Sequence, residues 1–237
     1  MVGLGGGFIL VPILRLFMGF SPAYAAGTSL ILIVANSASG AFTYILQKRV
    51  HLRIGWLIAA GGLPGSIIGA LISVHISARL FDTILAILLI GVAIDMAWNA
   101  ERRMKGRVER DCVAHIKGMS YRAALGLGFV VGIFSSLFGL GGGIILVPTF
   151  LYFSELPAHA ISATSHFAIL LTSPVGLVVH IWQRDIVAHD VIPLVAGGLL
   201  GGPVGARLSL KLKSPQLLIV VAIALVTAAA TLVWRQL

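Results

Sequence analysis

Four hydroxyls and one imidazole stand where a small anion could be held. Thr28-Ser29 and Thr164-Ser165 occupy like positions in two similar halves of the chain, and His166 follows the second pair where Leu30 follows the first. A hydroxyl beside an oxyanion is a strong donor. A histidine inside an apolar helix is costly unless it faces a cavity or a partner, which makes His166 a candidate for handling a proton or the anion itself. Ahead of each hydroxyl pair lies a glycine cluster, Gly5, Gly6 and Gly7 in one half and Gly141, Gly142 and Gly143 in the other, with Val11-Pro12 and Val147-Pro148 behind them. Clustered glycines and a proline interrupt a helix. In lipid the freed backbone groups survive only inside protein or along a wet cavity. The N-terminal ends of the resulting half-helices carry unpaired N–H groups and a partial positive charge, which suits an anion. Other uses of the same residues stay open: close packing for the glycines, helix capping for the hydroxyls, and plain packing for His166.

Enzymatic uses find less support. Ser165 and His166 are adjacent, and neighbours in a helix do not face each other as a nucleophile and base must. No H-E-x-x-H or G-x-S-x-G is present, so neither a catalytic residue nor a metal or cofactor site is expected. The glycine run lacks the last glycine of G-x-G-x-x-G, and no G-K-[ST] follows either copy, which argues against a nucleotide.

The elements that must position these groups follow from an internal repeat. Segment 3–12 returns almost unchanged as 139–148, an offset of 136 positions. At the same offset Gly40 meets Gly176, Gln47 meets Gln183, Gly61-Gly62-Leu63 meets Gly197-Gly198-Leu199, and Trp98 meets Trp234. Paired repeats with a site between them are the sequence signature of a transporter. Hydrophobic residues make up 58% of the chain and charged ones 11%, too few for a soluble surface of this size. Continuous apolar runs cover 8–20, 23–46, 56–74, 81–98, 123–153, 158–182, 191–210 and 217–233. Most approach the roughly 20 residues a helix needs to cross the hydrocarbon core. The expectation is an all-α polytopic membrane protein of about eight spans with glycine-broken helices. It divides into a first four-helix repeat (1–98), a basic loop (99–121) and a second four-helix repeat (122–237). In the second half, residues 122–138 precede the glycine motif; only Met1-Val2 does so in the first, so the first span reads as truncated.

The formal charge of +9 is unevenly placed. Arg102, Arg103, Lys105, Arg107, Arg110, Lys117 and Arg122, with Lys48, Arg49, Arg53, Arg184 and Arg235, fall on one side if each run is one crossing. Arg79, Arg207, Lys211 and Lys213 fall on the other, twelve against four. The crowded side is then cytoplasmic and carries both termini, with the basic loop meeting anionic lipid rather than nucleic acid. Cys112, alone in that loop, reads as inert. Gly61, Gly65 and Gly69, like Gly197, Gly201 and Gly205, form a small-residue stripe for close helix packing. Asn36-Ser37 and Thr172-Ser173 could extend a polar path or bond between helices, and Gln47 and Gln183 would close their helices at the cytoplasmic edge. Arg15, near the outer end of its run, either snorkels or draws anions to the entrance. Asp95 reads as interfacial, and Asp190 as opening a helix in the cytoplasmic vestibule, where the helix dipole favours it.

The doubled G-L-G-G-G-x-I-L-V-P, the following P-A-x-A with its T-S pair, and the glycine-striped third helix ending Gly205-Ala206-Arg207 resemble the sulfite exporter TauE/SafE family. The likeness spans both halves. It implies a multi-pass permease of the bacterial or archaeal inner (plasma) membrane that moves sulfite, sulfonates or related sulfur-containing or carboxylate anions. The expected reading is a secondary transporter of small anions working by alternating access. An anion channel, an intramembrane enzyme and an accessory membrane scaffold are the alternatives. Expected partners are the lipid bilayer, the small anionic substrate and protons as candidate coupling ion, with a homo-oligomer as candidate assembly and no nucleic acid. The chain departs from the pattern at the leading half-span, at Leu71 opposite Arg207, and at Ile54 opposite Asp190.

Overall fold

A computed structural model describes residues 7–104, 120–153, 158–183, 222–223 and 225–232. Seven helices are present among them: α1 (Gly7–Leu16), α2 (Pro22–Leu46), α3 (Leu52–Ser73), α4 (Ala78–Met104), α5 (Tyr121–Phe138), α6 (Gly143–Phe153) and α7 (Ala158–Trp182). Residues 222–223 and 225–232 are helical too. Four helices, Pro22–Leu46, Leu52–Ser73, Tyr121–Phe138 and Ala160–Trp182 within α7, are long and apolar enough to cross a membrane. Helix α1 has 10 residues and α6 has 11, about 15 Å each and thus about half the hydrocarbon thickness. Gly5, Gly6, Cys112, Asp190, Arg184, Arg207 and the stripe Gly197, Gly201 and Gly205 lie outside the described residues.

Local chemistry sets the helix ends. Ser21 caps α2, accepting from the Tyr24 N–H, with Pro22 at the first helical position. Thr28 and Ser29 therefore lie well inside α2 and do not cap it. Gly139 ends α5 in the left-handed region at φ 64°, where a side chain would be strained, and the N–H groups of Gly139 and Leu140 both return to the Ser135 carbonyl.

The stripe Gly61, Gly65 and Gly69 does what small residues allow. A Cβ on any of them would strike the backbone carbonyl of Leu125, Phe129 or Ile133 on α5. Helix α5 returns the favour with a stripe of its own, Gly128 and Gly132, against the carbonyls of Ile58 and Gly62. Since residue numbers rise together along both helices, α3 and α5 are parallel. Helix α7 runs the same way, because His51 bonds Thr164, Gly55 meets Phe167 and Gly62 meets Thr172. Helix α2 runs the opposite way to α7, because Gly40 and Tyr44 meet His166 while Leu30 meets Gly176.

Two expectations change as a result. The apolar run 123–153 is not one span but two helices: α5 and α7 are parallel, so α6 must carry the chain back between them. Helices α2 and α7 begin and end at positions exactly one repeat offset apart, yet they are antiparallel, whereas two units of four spans would leave them parallel. The side assignments shift too. Lys48, Arg49, Arg53 and Arg122 do share a side, with Arg53 donating to the Tyr121 hydroxyl and its guanidinium 4.9 Å from the ring centroid. The chain leaves α7 at Gln183 on the opposite side from Gln47, whereas a single edge was expected for both. Helix α4 also runs on to Met104, into the segment read as loop.

Candidate functional site

Ile33, buried midway along α2, touches both glycine breaks. A Cβ on Gly7 would lie 2.6 Å from Ile33 Cδ1, and one on Gly141 would lie 2.8 Å from Ile33 Cγ2. Gly7 also backs directly onto the Gly139 carbonyl and stands 3.0 Å, at that same position, from Ser29 Oγ. The Ser29 hydroxyl donates to the Gly139 carbonyl at 2.7 Å, a bond spanning the two halves of the chain. Only glycine fits here, since any side chain on Gly7 would part the two breaks.

From Gly139 the chain descends through Gly141 at φ 78° and Gly142 at φ 66°. It enters α6 with the Gly143 N–H on the Gly141 carbonyl at 2.7 Å and the Leu146 N–H on the Gly142 carbonyl at 2.9 Å. Helix α1 is antiparallel to its neighbour α2, and α6 to α7, so α1 and α6 set out from this spot in opposite directions. Their two N-terminal ends, each with a partial positive charge, approach one another. Among the described residues, Thr28 Oγ1, Ser135 Oγ and Ser136 Oγ are buried here or on the adjoining turn of α5 without a hydrogen-bond partner. Ser135 Oγ would stand 3.6 Å from a Cβ on Gly142.

The second hydroxyl pair lies elsewhere. Thr164 Oγ1 accepts the His51 N–H at 3.0 Å and so serves the N-terminus of α3. Ser165 is fully buried with no partner for its hydroxyl among the described residues. His166 donates from Nδ1 to the Ser162 carbonyl at 2.9 Å and stands edge-on to Tyr44, ring centroids 5.6 Å apart. These three are level with Gly40 to Tyr44 on α2, about 16 Å along that helix from Ser29. The structure thus unites Gly7, Ser29, Gly141 and Gly142 with Thr28 close by, and holds Thr164, Ser165 and His166 apart from them. The antiparallel crossing is the cause, for it sends like-numbered residues to opposite ends. Thr172 and Ser37 spend their hydroxyls on their own helices.

Arg15 neither snorkels nor waits at an entrance. Its Nε and Nη2 donate to the two Asp82 oxygens at 2.8 and 2.5 Å, and Nη1 donates to the Phe20 carbonyl, with both residues 7% exposed. Asp82 carried a usable signal in the sequence, an acid at the second position of the apolar run 81–98. Ile33 and Ser135 carried none. Among the described residues no group of three or more His, Cys, Asp or Glu could hold a metal ion.

The profile of the family described as Sulfite exporter TauE/SafE matches residues 1–232. A probable membrane transporter protein, YunE of Bacillus subtilis (strain 168), is 30% identical over 99% of this chain and 92% of its own length. YfcA of Escherichia coli (strain K12), also named a probable membrane transporter protein, is 30% identical over 92% of this chain and 80% of its own. Another so named, y4hK of Sinorhizobium fredii, is 29% identical over 91% and 85%. No solved structure matches the chain.

Proposed function

Since the chain belongs to the sulfite exporter TauE/SafE family, we propose that this multi-pass membrane protein is a secondary transporter of small anions. Sulfite, organosulfonates and related sulfur-containing or carboxylate anions are its substrate class, and the inner (plasma) membrane its place. The observation that carries the reading is the meeting of Gly7 and Gly141 over Ile33. Two half-helix N-termini directed at one spot offer positive potential without a fixed cation. A carrier needs that balance, because a full buried charge would hold the anion too tightly to release it.

Alternating access draws support from contacts that exchange at the repeat offset. Gly40 with His166 becomes Gly176 with Leu30, and both pairs touch. Such an exchange fits two units of inverted orientation, each able to take the other's arrangement as the carrier turns over. The test is counterflow of radiolabelled sulfite and methanesulfonate into proteoliposomes. Saturable uptake accelerated by unlabelled anion inside supports the reading. Flux that neither saturates nor responds to internal anion would make it a channel, and no flux of sulfite, methanesulfonate or acetate would sink it.

A further inference from the structure

The exchange of contacts at the 136 offset sets a histidine at each end of the α2–α7 crossing, and only one of them was conspicuous in the sequence. The partner of His166 is Tyr44. At the repeat offset Tyr44 becomes His180 and His166 becomes Leu30, so the mirror end holds His180 and Leu30 instead. Both histidines thus come from α7, fourteen residues and about 21 Å apart along its axis. His180 is fully buried and donates from Nε2 to the Ser136 carbonyl at 3.1 Å. Ser162, His166, Ser173 and His180 follow one another at helical spacing on one face of α7, and each is buried. On and beside that face the hydroxyls of Ser165, Ser173 and Ser136 have no hydrogen-bond partner among the described residues.

We propose that protons drive this carrier and that His166 and His180 are its two proton-binding residues, one for each side of the membrane. The inference rests on the anion-carrier reading above and adds its coupling ion. Imidazole is the side chain that gains and loses a proton near neutral pH. Among the described side chains near the two rings, His51 is the one other imidazole. Helix α2 carries no Asp, Glu, Lys, Arg or His; α3 and α5 carry only Arg53 and Arg122, each in its first turn; α6 carries none. Arg15 and Asp82 neutralise each other, Tyr44 and His51 stand near His166, and His159 precedes it by seven residues on α7. Between the histidines lie Ile169 and, across on α2, Ile33, so the proton's two stations flank the level at which the glycine breaks meet. The unpartnered hydroxyls supply donors and acceptors for water on either flank. One proton is taken up at a ring nitrogen facing one side, passes by way of water held at the Ser165, Ser173 and Ser136 hydroxyls during turnover, and is released from the other ring to the far side.

The test uses the intact protein in proteoliposomes loaded with a pH-sensitive dye, with methanesulfonate as probe because it stays ionised and does not carry protons across lipid by itself. Methanesulfonate should move protons in the wild type, and a gradient of about one pH unit should drive about tenfold accumulation at one proton per anion. His166→Gln and His180→Gln should each abolish gradient-driven accumulation and keep counterflow, which also reports that the variants fold. His75→Gln, at the exposed end of α3, should behave as wild type. Wild-type counterflow with no proton movement overturns the inference and leaves the carrier standing. So do histidine variants that still accumulate anion tenfold. Loss of wild-type counterflow itself overturns both.

Discussion

Gly40 of α2 and His166 of α7 are pressed together so closely that a Cβ on the glycine would lie 2.7 Å from the ring. One repeat offset later, a Cβ on Gly176 would meet the Ser136 side chain first and lie 3.7 Å from Leu30 Cδ1. The pair exchanges helices as it exchanges numbers, which only antiparallel helices allow. The opposed directions of α1 and α6 follow from this crossing.

The orientation predicts sidedness. With Cys112 replaced by Ser, Lys48→Cys and Gln183→Cys should react with an impermeant thiol reagent from opposite sides of the membrane. Reaction of both from the same side would restore parallel α2 and α7 and the single-span reading of 123–153.

The α3–α5 seam should be intolerant of one added methyl. Gly65→Ala and Gly132→Ala each drive a Cβ into a facing backbone carbonyl, a strain of about 1–3 kcal/mol. Gly126→Ala, with nothing within 4 Å of the new atom, should match wild type. Thermal unfolding in detergent separates the two groups. Equal midpoints for all three would mean that the helices are not in backbone contact.

The Arg15–Asp82 pair fastens α1 to α4. Removing one partner strands a buried charge, so Asp82→Ala should destabilise by about 3–5 kcal/mol, while the apolar double variant Arg15→Leu with Asp82→Leu should recover most of it. A double variant as unstable as the single one would give the carboxylate a role beyond neutralising Arg15.

How far the sequence led can be judged residue by residue. The apolar runs and the offset of 136 were visible because hydropathy and identity are local properties. The sharing of a side by Arg53 and Arg122 followed from loop charge. The direction of α6 was hidden, since a reversal through left-handed glycines at Gly139, Gly141 and Gly142 looks, in one dimension, like a kink in a single apolar run. That one reversal moved Gln183 across the membrane and parted Ser29 from Ser165. Asp82 and Ser135 acquire meaning only from Arg15 and Gly142, which are distant or across a turn.

The hydroxyls should divide by function. Thr28→Ala and Ser135→Ala remove donors free to meet an anion, and a lost bond to a charged partner, about 1.5–3 kcal/mol, raises the apparent KM about ten- to a hundredfold. Thr164→Ala, whose oxygen already accepts the His51 N–H, should lower the unfolding midpoint and leave KM alone. The reverse pattern in counterflow assays would move the anion toward the His166 end.

The most direct measurement is substrate protection at Ile33, where the glycine breaks meet. With Cys112 replaced by Ser, Ile33→Cys should react slowly with a small thiol reagent, and an anion that shows counterflow should slow that reaction further in proportion to its occupancy. The anion used must not be sulfite, which consumes thiol reagents itself. A Cys at Phe42, exposed on the outer face of α2, should react at the same rate with or without the anion. Protection at position 33 alone is the result expected of a site between the two half-helix ends. An unchanged rate at position 33 under saturating anion would contradict it.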